Sequence, residues 1–421
     1  MRALPSSVTT SRESRVDRKQ VGAWAMFDFA NSVYPAVMTT AVFPLFYGSV
    51  IVGNEGGLGD LWWGRAVSVS AFIVAASAPL LGAIADRGGA RKKFMMLYTL
   101  LCIVGVSMMV TLEAGMVVRG FLFFVLANVG FESALVFYNA YLPDIAPREK
   151  QGRVSGLGFG LGYLGSAVGL MMALPYARDR IEVVWVMVAA FFLVFSLPAF
   201  FFLPADRRGE MSVPSAARWG FTNFRAIVAE VWQLKELRNF LLAFFFFIDA
   251  ILTIIVMAGR VAEVTFGFTQ EQTIVLFLIV QFSALVGAFA LARPTDHFGP
   301  KKVLTWVLLL WVATGISAYF IVDPRLFYAM AVVAGLGLGS AQAASRTFMA
   351  RLIPKGRESE MFGFYAFCGK SSSIIGPQVF VYAGLLAGGS QRPGFLALTV
   401  MFIVGLVLLQ RVAEPPAMAA A

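Results

Sequence analysis

Gly82-Ala-Ile-Ala-Asp86-Arg87-Gly88-Gly89-Ala90-Arg91-Lys92 closes an apolar run and returns, half a chain length later, as Asp296-His297-Phe298-Gly299-Pro300-Lys301-Lys302. Both copies place an acid, then a glycine three positions on, then two cations. Each sits between two membrane-length apolar runs, at 62–85 and 94–112 for the first copy and at 272–292 and 303–321 for the second. A second pair of marks repeats in the same way: Pro147 is followed nine positions later by Gly156, and Pro354 by Gly363. Parallel duplication of a multi-helix unit accounts for both repeats, and such duplication is a transporter architecture with its binding site between the halves near the membrane midplane.

Outward from these loops the same apolar character continues. Further runs lie at 21–47, 117–141, 155–174 and 183–203, then at 239–261, 326–350, 361–385 and 394–412. A span needs about 20 apolar residues, so the chain reads as all-α and membrane-integral, with twelve spans in two six-helix halves. The expected organisation is a tail at 1–20, an N-terminal half at 21–203, a connector at 204–238, a C-terminal half at 239–412 and a tail at 413–421. Of the 421 residues 59% are hydrophobic and 14% charged, with mean hydropathy +0.76. Soluble domains carry roughly 25% charged residues, which excludes a soluble enzyme. The polar, Arg-containing stretch 1–20 and the long run after it do not read as a cleaved signal peptide.

The net charge of +10 is explained by orientation. With the N-terminus in the cytoplasm, 25 of the 34 Lys and Arg residues fall on cytoplasmic segments, and only Arg65, Arg119, Arg178, Arg180, Arg260, Arg325 and Arg392 fall outside. That is the positive-inside pattern of an inner-membrane protein with both termini cytoplasmic, and it leaves no patch for nucleic acid. Cys102, Cys368 and the sole histidine, His297, make no metal or disulfide framework. No cofactor is expected.

Asp28, Glu132, Asp249, Arg346 and Lys370 are the charges inside spans. Each costs about 2.5–3.5 kcal/mol at a helix centre, so they face a cavity or one another, as functional groups or as helix-stapling ion pairs. Asp28 and Arg346 lie near cytoplasmic ends and read as gate residues. Glu132, Asp249 and Lys370 lie deeper and read as proton-coupling or substrate groups, with Asp249 and Lys370 the expected pair. Asn31 shares a helix face with Asp28, and Gln342 one with Arg346; Ser32, Asn128, Asn139, Gln281 and Ser345 complete the polar set, with interhelical hydrogen bonds as their alternative role. Gly160, Gly162 and Gly165 satisfy G-x-G-x-x-G, but without a preceding strand the glycines read as close-packing residues, together with Gly156, Gly158, Gly169, Gly335 and Gly339. In the connector, Phe221, Phe224, Ile227, Val228, Val231 and Leu234 form an apolar helical stripe, which suits either an interfacial helix or a partly buried linker.

The loop with Gly82, Asp86, Arg87, Gly89 and Arg91 resembles the signature loop of the major facilitator superfamily. The segments Trp24-Ala-Met-Phe-Asp28-Phe-Ala-Asn31-Ser32, Phe137-Tyr-Asn139-Ala-Tyr-Leu-Pro143, Gln342-Ala-Ala-Ser345-Arg346 and Phe362-Gly-Phe-Tyr365-Ala-Phe-Cys-Gly-Lys370 resemble its vacuole-effluxer-like branch. The resemblance implies twelve spans, a gating role for Asp86 against the start of span 11, and small zwitterions such as amino acids as solutes. Two positions depart from the pattern. Ala90 replaces a usual cation, and the second copy, with Asp296, Gly299 and Lys301, lacks the usual glycine four residues before the acid. Pro294 is therefore expected to end span 8 early and move Asp296 away from any partner helix.

The reading is a secondary transporter moving a small solute by alternating access, coupled to protons, with Asp28, Asn31, Glu132, Asp249, Gln342, Arg346 and Lys370 in the central cavity. Two other functions fit the same residues: a drug or toxic-compound exporter of this fold, and a transport-inactive membrane scaffold or sensor.

Overall fold

The computed structural model describes residues 16–373 and 375–414, apart from the side chain at 270; of the expected tails at 1–20 and 413–421, residues 1–15 and 415–421 lie outside the described residues. Every regular element described is helical. Eleven helices are long and apolar enough to cross a membrane: spans 1 to 6 are Arg18–Val52, Glu55–Gly88, Arg91–Thr111, Val117–Ile145, Arg148–Ala173 and Ile181–Phe202, spans 7 to 10 are Lys235–Phe266, Glu271–Phe298, Pro300–Phe320 and Pro324–Leu352, and the last is Arg392–Gln410. The run expected as a single span 11 is two helices, Glu358–Ser372 and Ile375–Leu386. Pro377 lies in the first turn of the second piece, where its missing N–H goes unused and its ring meets no carbonyl of that helix, whereas Pro79 and Pro198 sit inside unbroken helices.

Span 1 also departs from a regular helix. Pro35 opens a wide-turned stretch, Pro35–Ala41, in which Val42 donates to the Val37 carbonyl, five residues back. The two repeated loops end alike: Gly89 has φ +57° and Gly299 φ +89°, backbone that side chains rarely adopt. Gly89 is further fixed because a Cβ there would meet the connector backbone at Gly209.

The connector carries the helix Val213–Gln233. Its small face, Ala216 and Gly220, packs on span 2, with Gly220 against Leu80 and Ile84, while Phe221, Val228 and Trp232 stay exposed. The sequence stripe therefore divides. Ile227 and Val231 are buried as a linker would bury them, and the exposed rings match the interfacial description. Asp206 accepts from Lys92 N–H at 2.6 Å, capping span 3.

Helices before the connector meet those after it along two seams, span 2 with span 11 and span 5 with spans 8 and 10. Glycine makes both possible. A Cβ at Gly82 would lie 2.6 Å from the Ser359 carbonyl carbon, and one at Gly363 2.8 Å from Pro79 Cα; at the other seam, Gly156 faces Ala288 and Ala292. The repeated glycines Gly156 and Gly363 thus hold equivalent places on the two seams.

Candidate functional site

The signature acids act at the ends of these seams. Asp86, nearly buried at the end of span 2, accepts from the backbone N–H groups of Ser359 (3.1 Å) and Glu360 (2.9 Å), the first turn of span 11. Asp296 accepts from Gly152 N–H (2.6 Å) and Arg153 N–H (3.1 Å), the first turn of span 5, and from Arg153 Nε at 2.9 Å. A helix N-terminus presents orphan N–H groups and a positive dipole end, so each carboxylate satisfies donors that would otherwise go unpaired.

The expectation that Asp296 loses its partner is therefore corrected. Span 8 bends at Leu291, and Pro294 falls in the first turn of the continuing segment Ala292–Phe298, where its missing N–H costs nothing. The glycine missing at Ala292 is compensated on the facing helix: Gly152 and Gly156 supply there the room that Gly82 and Gly363 supply at the first seam.

Arg91 ties the end of the first seam together. Its guanidinium meets Asp144 at 2.6 Å, Glu358 at 2.7 Å and Asp86 at 3.4 Å, and donates to the Ser359 hydroxyl at 3.0 Å. Arg87 turns away from the seam to the connector, over the Trp219 ring at 3.7 Å and beside Glu210 at 3.0 Å. Lys301 likewise caps span 12 through the Gln410 and Val412 carbonyls. Glu414 lies 3.4 Å from Arg351, and burial raises its carboxyl above the usual range.

One layer deeper, Arg346 on span 10 crosses the seam. Its side chain is 2% exposed and meets Asp28 at 2.9 Å, Asn139 at 3.3 Å, and the hydroxyl and carbonyl of Ser155 at 3.0 and 2.8 Å. Trp24 and Phe159 lie 4.5 and 4.0 Å from its guanidinium carbon. Asn31 reaches Asp28 only at 3.5 Å. Gly158 makes the cluster possible, since a Cβ there would strike Asp28, Arg346 and Trp24. Ser155 and Phe159 carry no charge or motif, so only their spacing along the glycine-rich face of span 5 hinted at them.

Near the span centres three arrangements occur. Gln342 accepts from Tyr163 Oη at 2.7 Å across the seam. Lys370 forms an ion pair with Glu132, also across the seam, with side chains 32% and 16% exposed. Asp249, fully buried, accepts from Gly376 N–H at 2.7 Å and from the Thr253 hydroxyl at 3.4 Å. The expected Asp249 and Lys370 pair is thus replaced. Lys370 turns to the other half, and Asp249 caps the second piece of span 11, so a Cβ at Gly376 would collide with it. Asn128 bonds Ser70 at 2.8 Å, the interhelical alternative.

Every polar contact between the two sets of helices, among the described residues, lies between these central pairs and the basic face that bears the signature loops. That face is closed. A Gly82→Ala substitution should force it apart: overpacking against backbone costs about 1–3 kcal/mol, a shift of about tenfold in conformer population. The distance between labels on the basic ends of spans 2 and 11 should lengthen, and an unchanged distance would show that the seam yields elsewhere.

A duplicated helical membrane fold, glycine-lined seams and acid-capped helix starts define a membrane transporter of the major facilitator class. The chain belongs to the family described as "Vacuole effluxer Atg22 like", whose model matches residues 65–421. It is 30% identical to an uncharacterized MFS-type transporter, YxiO, of Bacillus subtilis, over 94% of this chain and 95% of that one. It is 24% identical to autophagy-related protein 22 of Coccidioides immitis, over 81% and 71%. In fold it is similar to the human organic anion transporter MFSD10, with TM-score 0.77 and 16% identity, over 93% of this chain and 99% of that one.

Proposed function

We propose that the protein is a secondary transporter that moves a small zwitterion, of the amino-acid class, by alternating access, with the described state closed on the basic face and open to solute from the other. The observation that carries this reading is the Glu132 and Lys370 pair. It joins the two halves near the span centres, and it is partly exposed where the Arg346 and Asp28 pair is sealed. A free carboxylate and ammonium on one solute complement Lys370 and Glu132 in turn, so a zwitterion exchanges an internal ion pair for two charge-assisted contacts. Asp249 is the proton carrier in this reading, because it is buried with no cation beside it and proton uptake removes the cost of that charge.

A thermal-unfolding screen against amino acids, peptides, sugars and amphipathic organic anions tests the solute class. A solute at 100 times its Kd raises stability by about 2.7 kcal/mol. A stabilising amino acid that also drives counterflow in liposomes supports the reading. Stabilisation by amphipathic anions alone favours the exporter alternative, for which the stacked Phe244 and Tyr365 rings, 4.0 Å apart, supply a wall. Absence of stabilisation and counterflow with every solute, together with a cellular function that survives neutralisation of every buried charge, favours the scaffold or sensor.

The basic face is cytoplasmic in this reading, with both termini there and the chain in a bacterial inner membrane; efflux is the direction that the family description supports. Cysteines placed between Asn54 and Asp60 should react with an impermeant reagent added outside, and one at Ser212 should not. The reverse labelling pattern would invert the assignment.

A further inference from the structure

A cavity of about 570 Å³ opens on the basic face between the first turns of spans 1 and 5, lined by Val16, Arg18, Lys150, Arg153, Val154 and Leu157. We propose that it is a binding site for the headgroup of an anionic phospholipid.

Three cations and, among the described residues, no acid line it. Neither Arg18 nor Lys150 has a side-chain partner among the described residues, and Arg153 spends only Nε on Asp296, with no hydrogen bond from its terminal nitrogens among the described residues. The charges are arranged by depth. Lys150 and Arg153 precede the apolar part of span 5, and Leu157 follows Arg153 by one helical turn, roughly 6 Å at 1.5 Å per residue. Arg18 stands in the first turn of span 1, with Val16 beside it. Cations at headgroup level above an apolar wall match a phosphodiester with acyl chains, and a free cytosolic anion has no use for the wall.

The site is tied to the gate through Arg153, whose backbone N–H and Nε both hold Asp296. A lipid phosphate on the terminal nitrogens leaves those two contacts in place.

The test uses the full chain in phosphatidylcholine nanodiscs, with phosphatidylglycerol titrated in and bound lipid counted by native mass spectrometry. Phosphatidylglycerol should bind the wild type, and Arg18→Gln/Lys150→Gln should weaken that binding by about thirtyfold. The Arg218→Gln/Arg225→Gln protein, which loses the same net charge from the connector helix, should bind as the wild type does. Arg18→Lys/Lys150→Arg should retain binding, which separates lost charge from misfolding. Equal binding of the two lipids, or equal loss in the connector variant, would overturn the site in favour of diffuse attraction. Inorganic phosphate that displaces the lipid as effectively as phosphatidylglycerol itself would overturn it in favour of a soluble-anion site.

Discussion

Lys370→Met should sharply weaken solute-dependent stabilisation and counterflow, and Glu132→Gln should do the same. Each removes one charge-assisted hydrogen bond to the solute, worth about 1.5–3 kcal/mol, so affinity should fall about ten- to hundredfold in either variant. The two residues also hold each other, on spans 11 and 4, and loss of a structural staple would mimic loss of a binding group. The exchanged double variant Glu132→Lys/Lys370→Glu separates these. It keeps an ion pair at the same place and should recover the unfolding temperature of the wild type. It presents the charges to the solute in reverse and should remain inactive in counterflow. Recovery of transport together with stability would make the pair a staple and place the solute elsewhere.

Asp249→Asn should leave solute exchange between equal pools intact and abolish accumulation against a gradient. Asparagine keeps an oxygen that can accept from Gly376 N–H, so the start of Ile375–Leu386 stays capped while the titratable charge is gone. Exchange requires no net proton movement, whereas accumulation does. In inside-out vesicles, where efflux fills the lumen, the ratio of luminal to external solute should therefore fall to about one, where a driving force of 1.4 kcal/mol would hold it at tenfold. Accumulation at the wild-type level would show that Asp249 is a cap and nothing more, and Glu132 would become the next carboxylate to assay.

The contrast between these two carboxylates marks what could be read from the sequence. Which charges are buried was legible, because an acid or a cation inside an apolar run announces itself. Which charges meet was not, since pairing depends on how each span is rotated and on which seam it faces. From sequence Lys370 reads as a partner for Asp249, and it instead crosses to Glu132. The break in span 11 had a local signal in Gly376-Pro377, but hydropathy sums over the run and is blind to a missing N–H. The two signature acids show the opposite case. Asp86 and Asp296 were both visible as repeats, yet the fate of Asp296 turned on glycines of a different helix, Gly152 and Gly156, that no local motif connects to it. The glycine-rich face of span 5 did announce close packing, which Gly158, Gly162 and Gly165 provide against span 1.

Alternating access requires two halves that close on one face while they open on the other, and paired distance distributions measure that directly. Spin labels on the basic ends of spans 2 and 11 report the latched face, and labels on the opposite ends of spans 1 and 7 report the other. In the wild type the first distance should be short and the second long. In Asp86→Asn/Asp296→Asn, two carboxylates lose their charge at helix starts, each worth about 1–2 kcal/mol in a partly buried setting. The population should then move about tenfold or more toward a state in which the first distance lengthens as the second shortens. Distances that stay fixed, or that lengthen together on both faces, would contradict alternating access with these acids as its latches.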